Sequence, residues 1–500
     1  MAISDAAAPS RPWISSYPEG IAWDAQIDTR PVHEQVLAAC ARNPSAVALD
    51  FLGHTTSFGD LAKKIIAFAG ALQRQFGIRK GSRVALMLPN TPFYPIAYYG
   101  VLRAGGTVVN CNPLYTVHEL SHITSNAGAD VMITLDLQQI YEKAEKLVEA
   151  GHVKSLVVCH FPDALPLVKK ILFSVVKRKD LARLGASPVR DRITLFHDML
   201  ARSETPDAVV IDSASDIAVQ QYTGGTTGIP KGALLTHANI SANMSQINQW
   251  GDGLFLPRST VVAVLPFFHI FAMTVCMNVP LSNGTRVVML PRFELKALLN
   301  LLARTKANVL PAVPTLLNAI ARAEHVTPEQ LATLEVCISG GAALPDEVRH
   351  AFAQKSKALL AEGYGLTEAS PVVCCAALRV PSKPMSIGLP LPATDIRFVD
   401  IDSGGSVQGL INNIASLITK IPADAKLIPG HGPVSTHTDL KDYHSPLVES
   451  VKIVTDAMKA GKSLHEIQKA GLPEKFKEAG SGFIKTDAWI ATVHRSYSMK

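Results

Sequence analysis

Short runs of consecutive apolar residues, each followed by a helix-like stretch, recur through most of the chain and constrain its fold more than any other feature. Arg83-Val-Ala-Leu-Met-Leu88, Thr107-Val-Val-Asn110, Asp130-Val-Met-Ile-Thr134 and Ser155-Leu-Val-Val158 read as strands, separated by helical patterns over 93–103, 117–126 and 137–150. The alternation resumes with Val261-Val-Ala-Val-Leu265, Arg286-Val-Val-Met-Leu290, Ala307-Asn-Val-Leu310, Leu334-Glu-Val-Cys-Ile338 and residues 358–365, with helices from Phe267 and over 294–305, 315–323 and 346–354. Strands that are apolar on both faces must be covered on both faces, and strands that return through helices pair in parallel. The expectation is an α/β fold of doubly wound parallel sheets, with ligands at the loops beyond the carboxyl ends of the strands. Upstream, helix patterns cover 31–41 and 57–76 around a strand at Val47–Phe51, residues 12–18 read as a surface arm, and 161–190 show no regular pattern.

At 500 residues the chain is too long for one core, given about 150 residues per domain. Its 47% hydrophobic content excludes disorder, and a net charge of +6 without blocks of like charge excludes a nucleic-acid tail. The basic group Lys169, Lys170, Lys177, Arg178, Lys179, Arg183 and Arg190 reads as a solvated face, with attraction to an anionic membrane surface as its alternative. Seven scattered cysteines without metal spacing read as buried thiols of a reducing compartment. Residues 1–12 carry no secretory pattern, so a cytoplasmic location is expected, with peripheral contact at the inner membrane face left open. Residues 259–285 contain no Asp, Glu, Lys or Arg, but Pro266, His269, Asn278, Pro280 and Asn283 interrupt them. They read as a buried strand, turn and helix rather than a membrane span.

Four segments carry chemistry. Tyr222-Thr-Gly-Gly-Thr-Thr-Gly-Ile-Pro-Lys-Gly232 lies between two apolar runs; its glycines let backbone amides face an anion, so it could cradle a polyphosphate. Pro230 and Gly232 flank Lys231 where the usual phosphate loop has Gly and Ser/Thr, so it is not that loop, and a glycine-rich hairpin is the alternative. Pro266-Phe-Phe-His-Ile-Phe271 is an aromatic cluster in which His269 could equally be a core histidine. Ser339-Gly-Gly-Ala-Ala-Leu-Pro345 is either an ordinary strand-to-helix turn or a place where adenine approaches the backbone. In Glu362-Gly-Tyr-Gly-Leu-Thr-Glu368, Tyr364 offers a ring to stack on a base, Thr367 a hydroxyl for an α-phosphate, and Glu368 an oxygen for Mg²⁺, or else a surface carboxylate.

In this order and at these separations the four segments resemble the motifs of the adenylate-forming acyl-CoA synthetase superfamily over about residues 12–400. The Pro12-Trp-x-x-x-Tyr-Pro18 opening and the basic segment before the signature loop are most similar to the long-chain fatty acyl-CoA ligases. The resemblance implies a two-step ligase using ATP, Mg²⁺ and CoA, a fatty acid substrate, and an AMP-binding domain over 1–400 with subdomains of about 40–210 and 211–400. A homodimer is compatible with it. It implies that Thr223 and Glu368 hold Mg²⁺ and that Thr226, Thr227, Gly228 and Lys231, with Gly224 and Gly225, line the β/γ-phosphates. Adenine falls to Gly340, Gly341, Ala342, Tyr364 and Gly365, with Glu362 and Gly363 beside them, and the α-phosphate to Thr367. His269 sits by the acyl pocket, with Met273, Val313 and Val372 as lining. Thr226, Lys231, His269, Thr367 and Glu368 make up the implied catalytic set.

After about residue 400 the pattern departs from that family. There is no Thr-Gly-Asp for the ribose and no Asp/Arg hinge, and Gly461-Lys462, the one Gly-Lys after residue 400, is not matched to the family's adenylation lysine. Ala425-Lys-Leu-Ile-Pro-Gly-His-Gly-Pro433 instead resembles the last third of a metallo-β-lactamase-fold hydrolase, which implies His431 as a zinc ligand with Asp400 or Asp402. The partner motif His-x-His-x-Asp-His is missing, and His437, His444, Asp439 and Asp442 are the substitutes at hand. The expected tail, 401–500, is an incomplete hydrolase segment fused to the ligase core: a poorly packed helix from Val407, then loosely attached helices beyond about 440. Three readings follow: a fatty acyl-CoA ligase whose turnover the absence of the family's moving lid reduces, a pseudoenzyme that binds ATP and fatty acid, and a metal-dependent hydrolase.

Overall fold

The computed structural model describes residues 11–223, 230–379, 383, 386–396, 406–420, 426–427, 435–476 and 485–498. The chain divides into two compact units, Met1–Thr394 and Asp395–Lys500.

The strands of the first unit are β1 (Val47–Phe51), β2 (His54–Ser57), β3 (Arg83–Leu86), β4 (Thr107–Asn110), β5 (Val131–Leu135), β6 (Ser155–Cys159), β7 (Ile193–Leu195), β8 (Ile217–Thr223), β9 (Lys231–Thr236), β10 (Thr260–Ala263), β11 (Arg286–Met289), β12 (Val309–Ala312), β13 (Val336–Ser339), β14 (Leu359–Gly365), β15 (Val372–Cys375) and β16 (Leu389–Pro390). They form a seven-stranded sheet, β7-β6-β5-β3-β4-β8-β9, and a nine-stranded sheet, β16-β15-β14-β13-β12-β10-β11-β1-β2. The pairs inside each sheet are parallel, and antiparallel pairs occur only toward the edges, at β8–β9, β1–β2 and β14–β15–β16. The sheets do not follow chain order: β1 and β2 join the nine-stranded sheet, and the β8–β9 hairpin closes the seven-stranded one.

Local chemistry places the helices. Ser57 accepts the amide of Asp60 to cap Phe58–Phe76, which Gly77 ends in the left-handed region. A reciprocal Thr116–Glu119 box starts Val117–Ala127. The charge-free stretch 259–285 is buried strand and helix, including a π-helical segment at Met273–Asn278. Among the described residues no helix is long and apolar enough to cross a membrane. All seven cysteines are free and buried.

The arm 12–18 lies at the surface, with Pro12 and residues 14–16 exposed, and is tied down at one end: Tyr17 donates to Pro390 O at 2.6 Å, and its ring meets Trp250 edge-on at 5.3 Å. The stretch 161–190, expected to be irregular, contains a helix, Leu167–Val176, whose apolar residues recur at helical spacing and face outward.

The first turn of the helix Val32–Arg42 meets the helix His237–Gly251 through two buried histidines, whose rings lie 5.9 Å apart. His237 Nδ1 accepts the amide of Val32. Burial, with the nearby positive charge of His237 and Arg103, pushes His33 down to about 3; burial pushes His237 down to about 4, partly offset by Asp216. Both are neutral when folded, whereas the unfolded chain takes up protons near pH 6.5, so stability is full above that pH and falls as pH drops toward the folded values. Urea unfolding is expected to show about 2 to 4 kcal/mol less stability at pH 5 than at pH 7.5, and His33→Leu should flatten that dependence.

In the second unit the helices Val407–Lys420, His437–Lys459, Leu464–Ala470 and Thr486–Ser498 share a small core of Val407, Val451, Val454, Ile467, Ile490 and Val493. Thr436–Asp439 and Ser463–Glu466 boxes cap two of them. The expected poor packing of the first helix is corrected on its inner side, where Val407 and Ile414 are buried, while Leu417 stays exposed. Beyond residue 440 the helices bury apolar side chains against one another.

Candidate functional site

The signature segment forms the connection of the β8–β9 hairpin, in which Thr223 pairs with Lys231 across the ladder. Gly224, Gly225, Thr226, Thr227 and Gly228 lie outside the described residues. Thr223 and Lys231 are both half-buried at the hairpin's open end. Glu368, exposed, stands on the turn Thr367–Ala369, and this turn packs against β9. The hairpin and the Glu368 turn are therefore neighbours.

The other segments meet at the carboxyl ends of the nine-stranded sheet, near the point where the chain leaves β10 for β11 on one side and β12 on the other, where open α/β sheets leave a crevice. β13 and β14 are adjacent, so Ser339 pairs with Glu362 and the 340–345 turn lies beside 363–368. Gly341 has φ +82°, a left-handed conformation that suits glycine, and a Cβ on Gly340 would stand 3.0 Å from the Phe271 ring. A Cβ on Gly365 would meet Pro371 O at 2.1 Å, so β14 and its return strand close up only with glycine there. Glu362 is buried and committed to scaffolding, accepting from Arg349 Nη2 at 3.0 Å and from the amide of Leu344 at 3.3 Å. It holds the 340–344 turn onto β14 instead of facing a ligand.

A cavity of about 240 Å³ opens where these segments converge. Gly340, Gly341, Gly363, Tyr364, Gly365 and Thr367 line one side, and His269 and Phe271 another. Ala342 is exposed next to Gly341 but is not part of the lining. The rest is apolar, with Ile247 and Trp250 from the helix His237–Gly251 and Val372 from β15. That helix is pinned to the cavity wall: Asn243 donates to Val372 O at 2.7 Å and accepts from Val372 N at 3.0 Å, and Trp250 Nε1 donates to Ala376 O. Of the expected acyl lining, Val372 is in place. Met273 is instead fully buried beside Asn110, and Val313 packs by Gly341 without lining the cavity.

His269 Nδ1 accepts the amide of Phe271, which leaves Nε2 to carry the proton of the neutral ring. One edge of the ring is open, yet protein surrounds much of the rest, and this desolvation lowers its pKa below the ordinary imidazole value. It is thus a neutral hydrogen-bond donor at the cavity edge.

Four residues that carried no signal in the sequence fix this edge. Asn90 donates to Ala263 O and Leu265 O at 3.1 and 2.8 Å and accepts from Phe267 N at 2.8 Å. Gln221 donates to Phe268 O at 3.0 Å and accepts from Asn110, which in turn accepts from the Tyr94 hydroxyl at 2.6 Å. All four are buried.

A model of the AMP-binding enzyme family matches residues 36–413. The chain belongs to the AMP-binding enzyme family. It is 35% identical over 396 residues to a long-chain-fatty-acid–CoA ligase of Bacillus subtilis, covering 79% of this chain and 70% of that protein. It is 36% identical over 407 residues to one of Yersinia pestis, with the same coverage. The solved structure of a long-chain-fatty-acid–CoA ligase from Archaeoglobus fulgidus shares the fold, with a TM-score of 0.62 at 22% identity over 75% of this chain and 71% of that one.

The hydrolase-like reading of the tail gains no support. His431, Asp400 and Asp402 lie outside the described residues. Of the substitutes, His437 is bonded to Ile418 O and Asp439 caps its own helix. Among the described residues no group of three His, Cys, Asp or Glu side chains could hold a metal.

Proposed function

We propose that the chain is an ATP-dependent fatty acid–CoA ligase core, with residues 1–400 as its AMP-binding domain. The observation that carries this reading is the cavity whose apolar floor of Ile247 and Trp250 opens between His269 and the Gly340–Gly341 and Tyr364–Thr367 segments. The names of the Bacillus and Yersinia relatives support the substrate class. The acid's carboxylate oxygen attacks the α-phosphorus of ATP, the bond to the β-phosphate breaks and pyrophosphate leaves; the thiolate of CoA then attacks the acyl carbon and AMP leaves. Both steps develop negative charge, so the protein contributes positioning and neutralisation.

In this reading Gly340 and Gly341 let adenine lie against backbone, Tyr364 stacks on it, and Thr367 bonds the α-phosphate. Lys231, with the 224–228 amides and hydroxyls, meets the outer phosphates, and His269 donates through Nε2 toward the carboxylate. Thr223 and Glu368 fit Mg²⁺, because one carboxylate and one hydroxyl leave room for phosphate oxygens and water, and the Glu368 turn packs on β9 beside Thr223. When bound, Mg²⁺ supplies neutralisation of phosphate charge.

Pyrophosphate release with ATP, CoA and a series of fatty acids tests the proposal. Release that rises with a long-chain acid supports it. Calorimetric binding of ATP and acid without release would replace it with the binding-only reading, which the lack of the family's Thr-Gly-Asp favours. Ile247→Trp, which fills the cavity floor, is expected to lower kcat/KM for palmitate by roughly tenfold with ATP affinity unchanged. An equal loss of ATP affinity would reassign the cavity to the nucleotide.

A further inference from the structure

The helix Leu167–Val176 turns six large apolar side chains to solvent: Leu167, Val168, Ile171, Leu172, Val175 and Val176, from 58% exposed at Ile171 to 79% at Val168. Their spacing of i, i+1, i+4, i+5, i+8 and i+9 spreads them over about half the helix circumference. Contiguous exposed apolar surface of this kind marks an interaction site more often than a solvated face.

The orientation is fixed from behind. Phe173 packs on Phe161 with ring centroids 5.1 Å apart, Lys170 pairs with Asp163 at 2.7 Å, and Lys169 donates to Leu52 O at 2.8 Å. The helix therefore cannot roll its apolar face inward without breaking all three. Immediately after it come exposed Lys177, Arg178, Lys179 and Arg183, and residues 167–190 contain seven Lys or Arg against one acid, Asp180.

We propose that this helix docks on an anionic phospholipid bilayer, its six apolar side chains entering the interface while Lys177, Arg178, Lys179 and Arg183 meet lipid phosphates. An apolar face combined with a basic rim is the pattern of an interfacial helix, and each cation near an anionic leaflet adds attraction. The same segment of a second copy would offer this rim one acid, Asp180, against seven cations of its own, so charge complementarity favours an anionic lipid surface over self-association. The docking surface does not depend on the ligase reading, but it suits a substrate that partitions into membranes.

The full chain is mixed with phosphatidylcholine vesicles with and without phosphatidylglycerol and separated by flotation. The wild type is expected to float with the anionic vesicles and to be released by high salt, which screens exposed charge. Leu172→Asp/Val175→Asp and Lys177→Glu/Lys179→Glu should each lower partitioning by roughly tenfold or more; because these side chains are exposed, thermal melting should be unchanged. A wild type that stays with the unbound fraction, or a Leu172→Asp/Val175→Asp variant that floats like wild type, overturns the proposal. So does a dimer, seen by sedimentation, that this variant dissociates without any flotation of the wild type. Pyrophosphate release is a separate readout: its absence would remove the ligase reading and leave the flotation result standing.

Discussion

Lys231→Ala and Glu368→Ala are each expected to lower pyrophosphate release by roughly 10²- to 10³-fold, the cost of removing one preorganised charge from a phosphoryl-transfer site. Lys231 starts β9 opposite Thr223, and the turn bearing Glu368 packs on the same strand. The two side chains thus rise from neighbouring backbone with opposite charge, as expected for one group contacting phosphate and the other a phosphate-bound cation. Neither is in the buried core, so urea midpoints should stay near wild type while initial rates fall. Wild-type rates in either variant, at saturating ATP and acid, would dismiss that residue from the chemistry. Calorimetry adds a distinction: loss of ATP affinity places the effect in the ground state, and unchanged affinity places it in the transition state.

The largest stability effect of a single substitution is expected at Asp50. This carboxylate is fully buried on β1, takes both Nη atoms of Arg304 at 2.7 Å and a further bond from Arg286 Nη2, and accepts the amide of Gly53. It binds the N-terminal strand to β11, where Arg286 begins, and to the helix Leu295–Thr305. Burial alone would raise its pKa, but the bonds from Arg304 and Arg286 outweigh burial and hold it below the usual carboxylate value. A depressed folded pKa gives stability that is present above the unfolded value near 4 and is lost as pH falls through the folded value. Asp50→Ala strands two guanidiniums that can still partly reach water, so a loss of about 3 kcal/mol is expected, at the low end for a broken buried pair. Chemical denaturation at pH 7 measures it. A change within experimental error would mean that both arginines find water without cost.

Much of the fold could be read in the sequence because parallel strands buried on both faces leave unbroken apolar runs. Phe93–Arg103 was bounded correctly, and Arg83–Leu86 and Val131–Leu135 lie where their runs predicted them. Elements whose partners are distant in sequence could not be read this way. Nothing local says that Val47–Phe51 pairs with Arg286–Met289 more than 200 residues later. Helix Leu167–Val176 was missed although its apolar residues recur at helical spacing, because the cluster of lysines and arginines around it drew the reading to a solvated segment. In the site, glycine and small-residue turns announced Gly340–Gly341 and Gly363–Gly365, where Gly341 takes a positive φ and a Cβ on Gly365 would run into Pro371. Asn90, Tyr94, Asn110 and Gln221 were invisible because a buried amide or phenol has no spacing rule, only partners that tertiary structure supplies. The partners of Glu362 were hidden for the same reason: the Leu344 amide and Arg349 come from a turn and helix that precede it in the chain.

Asn90 holds two carbonyls and one amide of the chain leading into His269, and Gln221 holds the carbonyl of Phe268, just before it. The histidine's place is therefore inherited from the other sheet. In the proposed ligase, an incoming acid that pushed it aside would have to undo bonds rooted across that boundary, so the aromatic edge would act as a fixed wall to the acid's passage.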